Sequence, residues 1–362
     1  MPAPDLRVQL SEGRTCPIYF APLTDVPPLM ETEGLSRGRC VVVTDEHVAE
    51  HYLASLTKAL ELGGWSPLAI TLPAGEQIKS PGPLQRIYDT ALRARIDRTT
   101  PILALGGGVI GDLAGYAAAT LLRGLPLVQL PTSLIAQVDS AIGGKTGINH
   151  TTGKNLIGAF YQPRLICADL SSLATLPELE WTSGLAEIVK HALIAGETLR
   201  VDLERNWTQL LAREAAVVQT IVHKAAAVKV GVVSEDEREA SRRMILNFGH
   251  TFGHALERVA GYGHFTHGEA VALGMRAALK VSHLVHPDLP LHSLDRLVQQ
   301  VPIRHSISDF PINTLMNAMR YDKKTAGEVL RLILLKRPGE AYVTGAVTAD
   351  QVAAGWAFVH GA

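Results

Sequence analysis

The stretch Leu246-Asn247-Phe248-Gly249-His250-Thr251-Phe252-Gly253-His254-Ala255-Leu256-Glu257, with His267-Gly268-Glu269 soon after it, carries the densest chemistry in the chain. On a helix His250 and His254 stand one turn apart and face the same way. One helix–loop–helix reversal brings His267 back to them. Neutral imidazoles converging with a carboxylate suit a divalent metal of the zinc type, and an open position on such a metal implies catalysis. Spacing leaves the ligand choice open, since His264 competes with His267 and His254 with His250. Glu187, in Gly184-Leu185-Ala186-Glu187-Ile188-Val189-Lys190-His191-Ala192, is the candidate carboxylate. It shares a helix face with Lys190. On a surface that pair would be worth under about 1 kcal/mol. Its neighbours are apolar, however, and charge in such surroundings is expected only if paired or coordinating.

A second set of residues suits a nucleotide. Gly106-Gly107-Gly108-Val109-Ile110-Gly111 fits G-x-G-x-x-G between a strand and a helix. Glycine lets the backbone approach a pyrophosphate, and the helix N-terminus offers free N–H groups and a positive dipole end. The motif alone is equally a tight strand–helix turn. The next strand ends Leu130-Pro131-Thr132-Ser133, with no acid placed to hold a ribose. Asp45, at the end of an earlier strand, suits that role, with a plain N-cap as the alternative. Glu76 and Lys79 follow another strand at the same edge, where a solvated loop is the alternative. Further on, Gly144-Lys145-Thr146 and Gly153-Lys154-Asn155 place lysines after glycines, with Asp139 nearby. Such lysines suit close approach to phosphate or carboxylate oxygens. The glycine order of a P-loop is absent.

The elements that must position these groups change character along the chain. Apolar runs at 40–45, 67–72, 101–105 and 127–130 alternate with helical periodicity at 46–62, 83–96 and 112–122. Continuous apolar strands alternating with helices predict a parallel sheet covered on both faces. Beyond about 176 the pattern is helical, over 184–195, 199–233, 244–259 and 268–286. The expected organisation is therefore an α/β Rossmann-like domain, 1–175, and an all-α domain, 176–362, with an active site in the cleft between them.

The totals are those of a globular enzyme. The chain has 362 residues, 47% of them apolar, with a net charge of −1. That length favours two domains. Balanced charge gives no reason to expect nucleic acid or a membrane surface as partner. Cys16, Cys40 and Cys167 read as isolated, reduced and buried thiols of a cytoplasmic protein. The start shows no basic segment followed by an apolar one, so no signal peptide is expected. The apolar run 110–122 is too short to span a bilayer.

Several long stretches, in order, carry a family resemblance: GGGVIGDLAGYAAAT, RGLPLVQLPTSLIAQVDSAIGGKTGIN, GKNLIGAFYQP, GLAEIVKHALI, EDEREASRRMILNFGHTFGHALE, HGEAVALGM and DKKTAGEVLRLILL. The chain resembles the 3-dehydroquinate synthase family, within the sugar-phosphate cyclases, over nearly its whole length. The resemblance implies NAD and a zinc or cobalt ion as cofactors, and a cytoplasmic homodimer. It implies conversion of 3-deoxy-D-arabino-heptulosonate 7-phosphate to 3-dehydroquinate and phosphate. The implied sequence is transient oxidation by NAD, phosphate elimination, return of the hydride, ring opening and aldol closure. Carried across, it makes Glu187, His250 and His267 the metal ligands and leaves His254 beside them as a catalytic hydrogen-bonding group. Asp139, Lys145, Asn155, Lys190 and Lys229 become catalytic or substrate-binding, and Arg243, Asn247 and Lys323 or Lys324 substrate-binding. Arg123 is implied to reach the neighbouring subunit's phosphate. NAD positions would be Asp45, Glu76, Lys79, Gly107, Gly108, Val109, Asp112, Thr132, Ser133, Lys145, Lys154 and Thr175. Two positions depart from the family pattern: Ser172, where a larger residue is usual, and Thr266, where leucine is common.

Two rival functions share these features. Another sugar-phosphate cyclase would act on a substrate lacking a carboxylate, which gives Arg243 and Asn247 no anion to meet. A metal-dependent polyol dehydrogenase would consume NAD stoichiometrically and has little use for so many phosphate-binding lysines.

Overall fold

A computed structural model of the chain describes residues 3–261, 263–326 and 330–361, with the backbone alone for 320–326. The chain divides into two units. The first is Met1–Pro177 with Lys229–Arg238, and the second is Glu178–Val228 with Glu239–Ala362. Chain order would place residues 229–238 in the second half, but packing places them with the first.

The first unit is built on a seven-stranded sheet. Its strands are β1 (Leu6–Gln9), β2 (Thr15–Tyr19), β3 (Arg39–Asp45), β4 (Ser66–Leu72), β5 (Ile102–Gly106), β6 (Leu127–Pro131) and β9 (Leu165–Cys167), in the spatial order β1-β2-β9-β6-β5-β3-β4. All neighbours are parallel except β1 and β2. Every residue of β5 and β6 is buried, because helices cover both faces. Alternation separates two cores: Val41, Val43, Ile102 and Ala104 face one, Val42, Leu103 and Leu105 the other. The register sets Asp45 opposite Leu72 and Gly106 opposite Pro131, so these strands end level at one edge. The chain runs outward from β3 to β4, then returns to the other side of β3 as β5. Asp45 and Gly106 thus flank a topological switch point, where such sheets receive ligands.

The hairpin of β7 (Lys145–His150) and β8 (Gly153–Phe160) forms a second, two-stranded sheet. Sequence periodicity did not anticipate it, nor β1, β2 and β9. The glycine-rich helix spans Gly108–Thr120, beginning four residues earlier than its sequence pattern indicated, because the glycines themselves form its first turn.

Among the described residues the second unit is helical, with one hairpin, β10 (Leu332–Arg337) and β11 (Glu340–Thr344), that helical periodicity gave no sign of. The region read as one long helix breaks into Glu197–Leu211 and Ala215–Glu235, with Arg213 left-handed at φ 56° between them. Similarly, 244–259 divides into a short 3-10 turn, Arg242–Asn247, and the helix His250–Ala260, with Gly249 at φ 81° as the break. Ala215–Glu235 is long and apolar enough to cross a membrane, but half of its apolar window is buried. It also holds Lys224 paired with Asp202 and Lys229 paired with Asp139.

Helix His267–Val285 is the core of this unit, with nearly every residue from Gly268 to Ser282 buried. Two glycines let it approach its neighbours. A Cβ on Gly268 would lie 2.3 Å from Ser183 Cα, and one on Gly274 would lie 2.1 Å from the Gly249 carbonyl oxygen. Ser183 belongs to the helix Glu178–Ile194 that carries Glu187, and Gly249 immediately precedes His250. Close backbone contact, available only to glycine, therefore draws together the elements that carry Glu187, His250 and His267.

Candidate active site

In the second unit the ligand atoms of Glu187, His250 and His267 all lie within 4.8 Å of one another. Glu187 Oε1 is 3.2 Å from His267 Nε2 and 3.6 Å from His250 Nε2. Glu187 and Lys190 form an ion pair in which both side chains are 1% exposed. It is therefore no surface pair. Burial drives the His250 pKa well below its usual value, with Lys190 and the other two imidazoles adding to the effect against Glu187. A neutral imidazole is the form that binds a metal. Burial also works against protonation of His267, but the Glu187 hydrogen bond and charge prevail and raise its pKa. His254, exposed on the same helix, stands with its ring 5.6 Å from that of His250 and 6.5 Å from that of His267. His264, the competitor of His267 by spacing, instead stacks on His305 with rings 4.4 Å apart.

The start of the His267 helix is firmly set. Thr266, one of the two departures from the family pattern, is its N-cap, accepting from Glu269 N while Glu269 Oε2 accepts from Thr266 N at 2.7 Å. Leucine could not make this cap. Arg304 clasps the same carboxylate with its backbone N–H, Nε and Nη2, each at 2.8 Å. Arg243 is 1% exposed on the turn before His250. Asn247 Nδ2 donates to Glu239 Oε1 at 3.1 Å, and Glu239 is left-handed at φ 59°. Sequence reasoning passed over Glu239; among several acids in Glu235-Asp236-Glu237-Arg238-Glu239 nothing in the pattern distinguished it. The side chains of Lys323 and Lys324 lie outside the described residues.

In the first unit the predicted nucleotide residues gather at the carboxyl edge of the sheet. Asp45 Oδ1 accepts from the N–H groups of His47 and Val48, both at 3.0 Å, so it is an N-cap as well as a ribose candidate. Gly107 is the N-cap of the glycine helix, with Gly108 and Val109 in its first turn. Thr132 and Ser133 are buried just beyond β6, and a Cβ on Gly107 would sit 3.3 Å from Ser133 Oγ. Thr175 Oγ1 lies 2.5 Å from Tyr52 Oη. Ser172, the other departure, is 1% exposed, its hydroxyl donating to the Asp169 carbonyl at 2.6 Å and accepting from Gln137.

Lys79 is 4% exposed rather than in a solvated loop. Its Nζ donates to Asp112 Oδ2 at 2.7 Å and Asn155 Oδ1 at 2.5 Å. Burial raises the Asp112 pKa, and Lys79 opposes that rise. Asn155 is left-handed at φ 56°, its N–H donating to Asn149 Oδ1 at 2.9 Å. Asn149 Nδ2 in turn donates to Glu76 Oε1 at 2.8 Å. Asn149, which sequence reading missed, thus ties the hairpin to the Glu76–Lys79 segment. The exposed Lys145 begins β7, and Lys154, also exposed, is the second residue of β8. Asp139 lies in a short π-helix, Ala136–Ser140, and pairs with Lys229. Arg123 is exposed in a turn where it and Leu122 are left-handed, at φ 67° and 50°. Cys16, Cys40 and Cys167 are buried free thiols, each pushed up to about 12 mainly by desolvation.

Comparison with known proteins places this arrangement in a family. Residues 69–183 match the family model described as 3-dehydroquinate synthase N-terminal, and 184–325 that described as 3-dehydroquinate synthase C-terminal. The 3-dehydroquinate synthase of Salinibacter ruber is 56% identical over 353 residues, 97% of this chain and 96% of that protein. That of Azotobacter vinelandii is 46% identical over 349 residues, 94% and 93% of the two chains. The structure of 2-epi-5-epi-valiolone synthase from Streptomyces hygroscopicus subsp. jinggangensis, solved with NAD+ and Zn2+ bound, is 27% identical with a TM-score of 0.85 and covers 98% of this chain and 99% of that one. The chain belongs to the 3-dehydroquinate synthase family.

Proposed function

We propose that this chain carries out the reaction of its family, converting 3-deoxy-D-arabino-heptulosonate 7-phosphate to 3-dehydroquinate and inorganic phosphate. The grouping of Glu187, His250 and His267 is the observation that carries the reading. One carboxylate and two imidazoles within 4.8 Å of one another are a donor set that fits zinc or cobalt with a position left open for substrate. When bound, NAD supplies reversible hydride acceptance and the metal supplies Lewis acidity.

The protein's own groups then have distinct tasks. Asp45, Glu76, Lys79, Gly107, Gly108, Val109, Asp112, Thr132, Ser133, Lys154 and Thr175 hold the dinucleotide at the switch point of the first unit. The backbone N–H groups of the Gly108–Thr120 helix face its phosphates. Lys145, Lys190 and Lys229 hold the substrate phosphate, and Asp139 and Asn155 orient the lysines and substrate hydroxyls. Arg243 takes the substrate carboxylate on its planar fork, with Asn247, and Lys323 or Lys324 adds to that pocket. His254 exchanges a hydrogen bond with the substrate beside the metal. Residues 1–175 serve as the NAD-binding domain and 176–362, apart from the segment 229–238 that packs with the first unit, as the metal- and substrate-binding domain. The working form is a cytoplasmic homodimer in which Arg123 reaches the phosphate of the neighbouring subunit; its exposed, left-handed turn supports that role.

The test is phosphate release from the heptulosonate phosphate with and without a chelator. Release that depends on metal and NAD, with no build-up of NADH at about 340 nm, supports the reading. Stoichiometric NADH formation, or release only from a hexose or seven-carbon phosphate without a carboxylate, would refute it in favour of a polyol dehydrogenase or another cyclase.

A further inference from the structure

Glu237 and Gln162 belong to neither the metal group nor the nucleotide edge, yet they link the two segments of the first unit that carry Lys145 and Lys229. Segment Lys229–Arg238 is fastened to this unit along its length. Lys229 pairs with Asp139, Ser234 Oγ accepts from Gln9 N at 2.9 Å, and Glu237 closes the far end. Glu237 keeps only 13% of its side chain exposed. Its Oε2 accepts from Ser11 Oγ at 2.7 Å and from Ser11 N and Arg14 Nη2, each at 3.2 Å. Its Oε1 accepts from Gln162 Nε2 at 3.2 Å.

Gln162 leads directly to the other lysine. Its amide lies over Gly144, where a Cβ would come within 2.7 Å of Gln162 Cδ. Gly143 and Gly144 are both left-handed, at φ 105° and 67°, and Lys145 follows at once as the first residue of β7. A two-glycine turn is the most freely moving way to begin a strand. Here the Gln162 side chain fills the space a Cβ would occupy, and Tyr161 N–H donates to the Gly144 carbonyl at 2.7 Å.

We propose that Glu237 and Gln162 are positioning residues, a brace that sets Lys145 relative to Lys229 so that both ammonium groups meet one phosphate. The proposal rests on the reading above that these lysines hold the substrate phosphate. The probe is inorganic phosphate as a competitive inhibitor of the holoenzyme with NAD and metal bound. Gln162→Glu keeps the side chain's shape but turns a carboxylate toward Glu237. It should weaken phosphate inhibition about fivefold, the scale of one side-chain hydrogen bond. Gln162→Glu combined with Glu237→Gln restores a donor facing an acceptor and should recover the wild-type inhibition constant, which a general loss of packing would not allow. Glu237→Ala alone removes the acceptor and should weaken inhibition as well, and decides the matter if Gln162→Glu does not fold. Unchanged inhibition in both single variants, while Lys145→Ala weakens it, would overturn the brace alone. Unchanged inhibition in Lys145→Ala and Lys229→Ala would overturn the phosphate reading and the brace with it.

Discussion

Replacing Glu269 by Gln should weaken the start of the His267 helix by an amount that depends on pH. The carboxyl is 1% exposed, and desolvation by itself would raise its pKa. The Arg304 side chain and the N–H groups of Arg304 and Thr266 outweigh that, and hold it at about 2 against an ordinary 4.5. A difference of roughly 2.5 units at 1.36 kcal/mol per unit is about 3 kcal/mol. The folded pKa is the lower one, so this stabilisation is fully present above about pH 4.5 and disappears as pH falls toward about 2. At pH 3.5 about 1.4 kcal/mol of it is already lost. Urea denaturation followed by tryptophan fluorescence suits the measurement, because Trp181, Trp207 and Trp356 all lie in the second unit. The wild type should exceed Glu269→Gln by about 3 kcal/mol at pH 7 and by about 2 kcal/mol at pH 3.5. An equal gap at the two pH values would refute the argument that the carboxylate's charge, rather than its shape, holds the cap.

Glu187→Gln and His267→Ala should each reduce bound metal well below about one equivalent per chain, measured by elemental analysis, while His264→Ala retains it; metal loss in His264→Ala would show the ligand set misassigned. Gly274→Ala sets a Cβ against the Gly249 carbonyl and Gly253 N–H, backbone groups that cannot step aside. Calorimetry should show a loss of roughly 1–3 kcal/mol together with weaker metal binding, and an unaltered melt would contradict the close approach. Lys79→Met strands the Asp112 carboxylate and should cost about 3 kcal/mol, part of which Asp112→Asn recovers; a double variant no more stable than Lys79→Met would argue against the pairing. Arg243→Ala should raise KM for the substrate far more than the NAD dissociation constant, and an unchanged KM would remove Arg243 from the carboxylate site.

The sheet was legible where side chains alone declare burial. Strands β3, β5 and β6 are mostly apolar, buried runs because both faces are covered, and Gly106–Gly111 announced the turn that follows β5. The hairpin β7–β8 was not legible: glycine and isolated polar residues give it no period, and its order comes from Lys79, Asn149 and packing against the glycine helix. Residues 229–233 continue an apolar helical pattern that points to the second half, yet side chains such as Ser234 and Glu237 just beyond fasten this segment to the first.

Residue chemistry by itself pointed to imidazoles and a carboxylate gathering, and to glycines opening a helix after β5. Those conclusions depend on residue type and on spacing within one turn, which local geometry preserves. Spacing left His264 and His267 as alternatives, and the tertiary structure groups His267 with Glu187 and His250. The direction in which a chain returns after a loop is set by contacts far off in sequence. Here these are the backbone approaches at Gly268 and Gly274, which no periodicity records.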